Sequence, residues 1–171
     1  MIIWISLSVN IYGSILMPLM TRTMSNNPKT APWTENHKDA FAFFAICFMG
    51  AGEIIGGLTM GPLRDKIGTK LSFFVEILLL AATFTMIIWF NSQNEYNEAF
   101  AFMLCLVWGL QDAGVNILLW CVLGFEYDST IIPFGIYNFT CGLYIFAFEL
   151  VQIPVMATTK GSNDTPIPIG D

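Results

Sequence analysis

The sequence predicts an all-α integral membrane protein, a polytopic bundle of about five transmembrane helices. Hydrophobic residues make up 55 % of the 171 residues and charged residues only 12 %, whereas an ordinary soluble domain carries about 25 % charged residues. A soluble chain of this length could bury one core, but it could not hide this much apolar surface behind so few charges. Part of the surface is therefore expected to face lipid in a multi-pass arrangement.

Five segments meet the requirement of a transmembrane helix for roughly 20 mostly apolar residues. They form a predicted bundle over residues 1–157 and comprise Ile2–Met20, Phe41–Met60, Leu71–Phe90, Ala99–Gly124 and Ile131–Met156. The first segment lacks a basic amino-terminal region and exceeds the apolar stretch of a signal peptide, so we interpret it as a retained span. Residues 158–171 contain two prolines and two glycines, which predicts a flexible tail.

Composition also limits the functions to be considered. The net charge of −6 and the scattering of only seven Lys and Arg residues argue against a nucleic-acid partner, which needs clustered positive charge. His37 is the only histidine, so neither a zinc site nor a catalytic set is predicted, and we expect no enzyme activity, metal or cofactor. Gly50, Gly52 and Gly56 have the wrong spacing for a dinucleotide loop and indicate helix packing instead. The cysteines lie in apolar stretches, where packing is their expected role: Cys47, Cys105, Cys121 and Cys141.

Acidic residues inside the predicted spans are the strongest candidates for a functional site. None has a Lys or Arg at comparable depth, and the four are Glu53, Glu76, Asp112 and Glu149. A carboxylate within the membrane is costly when charged, so each is expected to be protonated, hydrogen-bonded or facing a cavity. Glu76 is predicted to lie near a membrane surface, where a packing role is favoured.

Two polar pairs share helix faces with these acids. Asp112 and Asn116 are four residues apart, so the amide of Asn116 can bond the acid. Asn138 and Glu149 are eleven residues apart, which is three helical turns. Together with Glu53, these four residues are the candidates for a polar pathway or a proton-linked site. The alternative is that they form hydrogen bonds between helices and serve only to order the bundle.

A glycine-rich and charged motif links the second and third predicted spans, where residues 57–70 read GLTMGPLRDKIGTK. Gly57 and Gly61 lie on one helix face, which lets a neighbouring backbone approach closely. Asp65 precedes the third span, where its carboxylate can meet the positive end of the helix. Gly68 permits a tight turn before that helix begins.

The spacing of this motif resembles the loop signature of the major facilitator superfamily, Gly-x-x-x-Gly-x-Leu-x-Asp-(Arg/Lys)-x-Gly-x-(Arg/Lys), with Lys66 and Lys70 at the basic positions. The numbers of Lys and Arg in the loops nearly tie and do not decide the orientation. The resemblance implies that residues 61–70 and the amino terminus are cytoplasmic, in keeping with basic side chains at an anionic lipid surface. Residues 21–38, 91–98 and the tail would then lie on the opposite side.

Three further motifs resemble the second half of the UNC-type ion-channel regulatory branch of that superfamily, which includes UNC-like transporters. They are Gly52-Glu53-x-x-Gly56-Gly57, Trp108-Gly109-Leu110-Gln111-Asp112-Ala113-x-x-Asn116 and Phe134-x-x-Tyr137-Asn138. The resemblance covers residues 1–156 as helices seven to eleven of twelve. The chain departs from the family because it has five spans, so a whole half and one further helix are missing.

These observations predict part of a solute transporter, for which the acids in the spans allow proton coupling. The alternatives are a non-transporting regulatory partner of an ion channel or receptor, and a truncated product. Besides the lipid bilayer, the expected partner is a second membrane half or a partner subunit. The sequence specifies neither the small-molecule substrate nor which membrane holds the protein.

Overall fold

The computed structural model describes residues 2–11, 16–93, 97–125, 127 and 131–161, and within these ranges it contains six α-helices and no strand. The helices are α1 (Ile2–Ile11), α2 (Met17–Asn26), α3 (Glu35–Ile67), α4 (Thr69–Ser92), α5 (Glu98–Phe125) and α6 (Ile131–Gly161). The predicted all-α helical bundle is therefore confirmed.

Four of the helices, α3 to α6, are long and apolar enough to cross a membrane. Each of the four corresponding predicted spans lies inside one of these helices, which extend beyond the spans. With 33 residues, α3 is about 50 Å long at 1.5 Å per residue, so it extends well beyond a hydrocarbon core of about 30 Å. Helix α6 continues to Gly161, so residues 158–161 are helical and not the start of the tail. Residues 162–171 lie outside the described residues.

The first predicted span, Ile2–Met20, includes residues 12–15, which lie outside the described residues. On either side of them are the two ten-residue helices α1 and α2. Helix α1 packs mainly against α6, and α2 packs against α3. The fifth span stays a prediction.

The predicted loop over residues 61–70 is helical except at one residue. Helix α3 continues through Pro62 to Ile67, and α4 begins at Thr69, so Gly68 alone joins the two helices. Its φ of 79° and ψ of 162° belong to a region that is essentially restricted to glycine. The Gly68 amide donates to the Arg64 carbonyl at 2.8 Å. The prediction that Gly68 makes the turn is confirmed, and the prediction of an extended loop is wrong.

The predicted role of Asp65 at the start of α4 is also wrong. Asp65 is exposed on the last turn of α3, and no hydrogen bond within the described residues involves its carboxylate. The Gly68 carbonyl instead accepts hydrogen bonds from the Ser72 amide at 3.1 Å and the Ser72 hydroxyl at 3.0 Å. The basic side chains of Lys66 and Lys70 are exposed.

The centre of the bundle is the contact between α3 and α5, where glycines bring the main chains together. A β-carbon on Gly52 would overlap the Leu106 carbonyl, and one on Gly56 would overlap the Leu110 carbonyl. On the opposing helix, a β-carbon on Gly109 would overlap the Met49 carbonyl. Small residues at a membrane helix crossing allow this close approach. The packing role predicted for Gly52 and Gly56 is confirmed, whereas the one predicted for Gly50 is wrong, because a β-carbon there would meet nothing within 4 Å.

The glycines of the motif do not take this role. A β-carbon on Gly57 would meet the Ile117 side chain at an ordinary 3.6 Å, and one on Gly61 would meet nothing within 4 Å. The expected close approach at Gly57 and Gly61 is therefore wrong, because α5 crosses the face of α3 that carries Gly52 and Gly56.

The two ends of the bundle are marked by different contacts. At one end the Arg64 guanidinium lies over the Phe125 ring, 5.3 Å from its centroid. At the other end α2 and the end of α4 line a polar cavity of about 270 Å³, through Arg22, Thr23, Asn26, Asn91 and Gln93. The segments after α2 and after α4 therefore share one end, as predicted, and the assignment of that end to a side of the membrane stays a prediction.

Candidate functional site

Two buried carboxyl groups and one half-buried carboxyl group come from three neighbouring helices. Glu53 on α3 and Glu76 on α4 each lie within electrostatic range of Asp112 on α5. The residues Glu76 and Asp112 are only 3 % and 8 % exposed. Within the described residues the one salt bridge joins Lys38 to Glu35 near the start of α3. Among the described residues, none of the three carboxyl groups has a cationic partner.

The α3–α5 crossing positions Glu53 and Asp112. Glu53 follows Gly52, and its amide nitrogen would lie only 3.0 Å from a β-carbon on Gly109. Asp112 comes three residues after Gly109, about one helical turn further along α5. The close contact of the two main chains therefore places both acids beside the same crossing.

Glu76 reaches the site through a gap left by another glycine. Its Oε1 atom occupies the position that a β-carbon of Gly114 would take. Both carboxylate oxygens are buried without a hydrogen-bond partner among the described residues. Glu76 is seven residues from the start of α4, which is about 10 Å along the helix. The side chain is buried between α4 and α5, and the depth of Glu76 in the membrane stays a prediction.

Asp112 and Asn116 form the polar pair that the sequence predicts. The Asn116 amide nitrogen donates to the Asp112 main-chain carbonyl at 2.9 Å and to Asp112 Oδ2 at 3.3 Å. The Tyr137 hydroxyl on α6 donates to Asn116 Oδ1 at 3.5 Å, which extends the network to a fourth helix. Asp112 Oδ1 remains without a partner, although Ser8 of α1 lies beside the carboxyl group.

The structure does not bring Asn138 and Glu149 into this cluster. Both side chains are exposed on α6, on faces turned away from the carboxyl groups. Tyr137, the immediate neighbour of Asn138, is 7 % exposed and supplies the inward contact from α6. Asn138 and Glu149 therefore lie outside the carboxyl cluster, and their role in a polar pathway stays a prediction.

A cavity of about 240 Å³ lies next to the carboxyl cluster, between α1, α4 and α5. It is lined by Trp4, Phe73, Glu76, Ile77, Leu80, Gln111 and Val115. Gln111 is 1 % exposed, and its Oε1 has no hydrogen-bond partner among the described residues. The lining is therefore mostly apolar, and two of its residues, Glu76 and Gln111, carry buried oxygens without a partner among the described residues. In the sequence, Gln111 stands out only as part of the motif around Asp112. No residue spacing could show that it lies near Glu76, because Glu76 is on another helix.

The site as a whole is a set of acids and amides from α3, α4 and α5, with the Tyr137 hydroxyl added from α6. Nowhere in the described ranges do three His, Cys, Asp or Glu side chains converge on a position suited to a metal ion. The unpaired oxygens of this arrangement can accept hydrogen bonds. Comparisons with protein families, with curated proteins and with solved structures found no match for this chain.

Proposed function

We propose that the chain forms part of a proton-coupled solute transporter of major-facilitator type, in which Glu53, Glu76 and Asp112 exchange protons. The observation that carries this proposal is the convergence of three carboxyl groups from three helices without a cationic partner among the described residues. Ionisable groups inside a membrane bundle are costly and commonly mark ion or proton pathways. The resemblance of residues 57–70 to the superfamily motif supports the choice of transporter class.

The energetics of neighbouring acids explain how such a cluster couples to protons. Three carboxyl groups in a low-dielectric bundle cannot all be ionised together unless a counter-charge is present. Their protons are therefore shared, and the number bound changes when water or a cation reaches the cluster. The Asn116 amide donates to Asp112 Oδ2 and so favours the ionised form of Asp112, while the Tyr137 hydroxyl holds the Asn116 amide in place.

The outer face of α6 supports the view that the chain works with a further membrane half. Asn138 and Glu149 are exposed there, and polar side chains within a span are rarely left against lipid. A second bundle packed on this face would supply their hydrogen-bond partners. Alternating access by rocking of two bundles about a midplane site then follows the usual transporter scheme.

The same face of α6 favours a second function, that of a non-transporting partner of a channel or receptor. Such a partner would use Asn138 and Glu149 for docking and would need no change in the protonation of Asp112. Purification of the chain from its native membrane in mild detergent distinguishes the two. A stoichiometric channel or receptor, released by Asn138→Leu together with Glu149→Leu, favours the second function.

The transport proposal is tested in sealed vesicles of the native membrane, which hold the full chain together with any second membrane half and are loaded with a pH-sensitive dye. Amines, carboxylates, sugars and neutral alcohols are added in turn outside, and the internal pH is followed. We expect at least one class to drive proton movement, and we expect Asp112→Asn to abolish it while the helical content is kept. The control Glu98→Gln makes the same kind of change at an exposed position and should behave as the wild type. Absence of solute-driven proton movement, or full activity of Asp112→Asn, would contradict the proposal.

A further inference from the structure

We propose that the cavity between α1, α4 and α5 binds a small apolar amine in its protonated form, with the ammonium group held by Glu76 and Gln111. As a statement about the carried solute, this inference rests on the proposed function. As a statement about binding, it stands on the cavity alone.

Two residues that line the cavity carry side-chain oxygens that have no donor within the described residues. Glu76 Oε1, Glu76 Oε2 and Gln111 Oε1 are all buried and unpaired. Glu76 and Gln111 are 3 % and 1 % exposed, so bulk water does not satisfy these atoms. A buried acceptor left unpaired costs roughly 1–3 kcal/mol, and more when it is charged. An ammonium group supplies three N–H donors and the positive charge that the carboxylate lacks.

The remaining walls require an apolar body on the amine. Phe73, Ile77, Leu80 and Val115 are hydrocarbon surfaces, and Trp4 adds an aromatic ring. Aromatic rings attract cations over their faces, so Trp4 and Phe73 suit an organic ammonium ion. The volume of about 240 Å³ lies below the roughly 300–1,000 Å³ of pockets for drug-sized ligands. A small arylalkylamine fits these constraints better than a sugar or a dicarboxylate does.

The position of the cavity indicates how such a solute would reach it. Ile77 lines the cavity and is 60 % exposed on the outer face of α4, beside Phe74 at 55 %. Ile77 is eight residues from the start of α4, about 12 Å along the helix and within the depth of the acyl chains. Apolar amines dissolve in the bilayer, so entry from the lipid phase is open to them.

Binding is tested with the purified full chain in detergent micelles by equilibrium dialysis of radiolabelled 2-phenylethylamine. The matched probes are 2-phenylethanol, which has nearly the same shape without the charge, and 3-phenylpropionate, which carries a negative charge. We expect saturable binding of the amine and at least tenfold weaker binding of the alcohol and the carboxylate. Alcohol binding as tight as that of the amine would overturn the proposal without any need for a variant.

A pair of variants then locates the site. Glu76→Gln keeps the shape of the side chain and removes its charge, so we expect amine affinity to fall at least tenfold. Glu98→Gln, at an exposed position on α5, should leave the affinity unchanged. Thermal unfolding followed by circular dichroism checks that both variants are folded. A folded Glu76→Gln protein with wild-type affinity would overturn the assignment, and if this variant does not fold, the probe series on the wild-type chain decides.

The outcomes separate this inference from the transport proposal. Amine binding without proton movement in vesicles would keep the site and contradict transport. Proton movement driven by another solute class, with no amine binding in micelles, would keep transport and contradict the amine site.

Discussion

The carboxyl group of Glu76 occupies the space beside Gly114 that the β-carbon of any other residue would fill. This contact joins α4 to α5 next to Asp112 and fixes one wall of the cavity. The overlapping atom belongs to the end of a flexible side chain and not to a backbone. A larger residue at position 114 can therefore be accommodated when Glu76 rotates away.

Gly114→Ala should therefore impair binding more than folding. We expect the free energy of unfolding to change by less than about 1 kcal/mol, the range of substitutions whose neighbours can adjust. The affinity for 2-phenylethylamine should fall, because the carboxylate leaves its place beside Gln111. Dialysis and thermal unfolding of the same preparation measure both quantities. Wild-type affinity in a folded Gly114→Ala protein would show that the position of Glu76 does not matter.

The glycines of the α3–α5 crossing should respond in the opposite manner. A β-carbon on Gly52 or Gly109 would overlap main-chain atoms of the facing helix, and a backbone can move only if the helices separate. We expect Gly52→Ala and Gly109→Ala each to lower the free energy of unfolding by about 1–3 kcal/mol, as overpacking does. Unfolding in mixed micelles measures this change.

The matched control for these two variants is Gly50→Ala, since a β-carbon on Gly50 would meet nothing within 4 Å. This variant should be at least as stable as the wild type, because alanine is the better helix former. Equal stabilities of Gly52→Ala and Gly50→Ala would contradict the described crossing.

The one-residue junction between α3 and α4 predicts that replacing Gly68 lowers the stability of the protein. Gly68 has a φ of 79°, and a side chain in this backbone region costs roughly 1–3 kcal/mol. Gly68→Ala should therefore destabilise the protein by about that amount, whereas Gly61→Ala, where a β-carbon would meet open space, should not. Thermal unfolding of the two variants side by side tests the prediction. A Gly68→Ala protein as stable as Gly61→Ala would show that the junction tolerates another conformation.

Arg64 and Ser92 lie near opposite ends of the bundle, which makes the orientation of the spans testable. Single cysteines introduced by Arg64→Cys and Ser92→Cys should react from opposite sides of a sealed vesicle with a maleimide that cannot cross membranes. The parent chain, with its four native cysteines, measures the background. Labelling of both positions from the same side would refute the arrangement of α3 and α4 as consecutive spans.

The properties that depend on one helix could be predicted from the sequence. Four spans were located correctly because apolar length is a local property of each segment. The bond between Asn116 and Asp112 was expected because residues four apart share a helix face whatever surrounds the helix. The extent of α3 was underestimated, because charged residues near Asp65 suit either a loop or a helix end in water.

The contacts between helices could not be predicted in this way. Two glycine pairs on α3 have identical spacing, Gly52 with Gly56 and Gly57 with Gly61, and only the position of α5 selects the first pair. The approach of Glu76 to Gly114 likewise depends on the rotation of two helices about their axes. For the same reason the spacing places Asn138 and Glu149 on a common face of α6 but does not give the direction of that face.

The glycine crossing has a mechanical consequence. Main-chain atoms of α3 and α5 already touch at Gly52, Gly56 and Gly109, so sliding either helix along the other would drive neighbouring side chains into backbone. We expect the two helices to move as one rigid body. Helix α4 contacts α5 through the flexible end of the Glu76 side chain. Deformation of the bundle should therefore concentrate between α4 and α5. The cavity beside this contact should widen or close as α4 moves relative to α5.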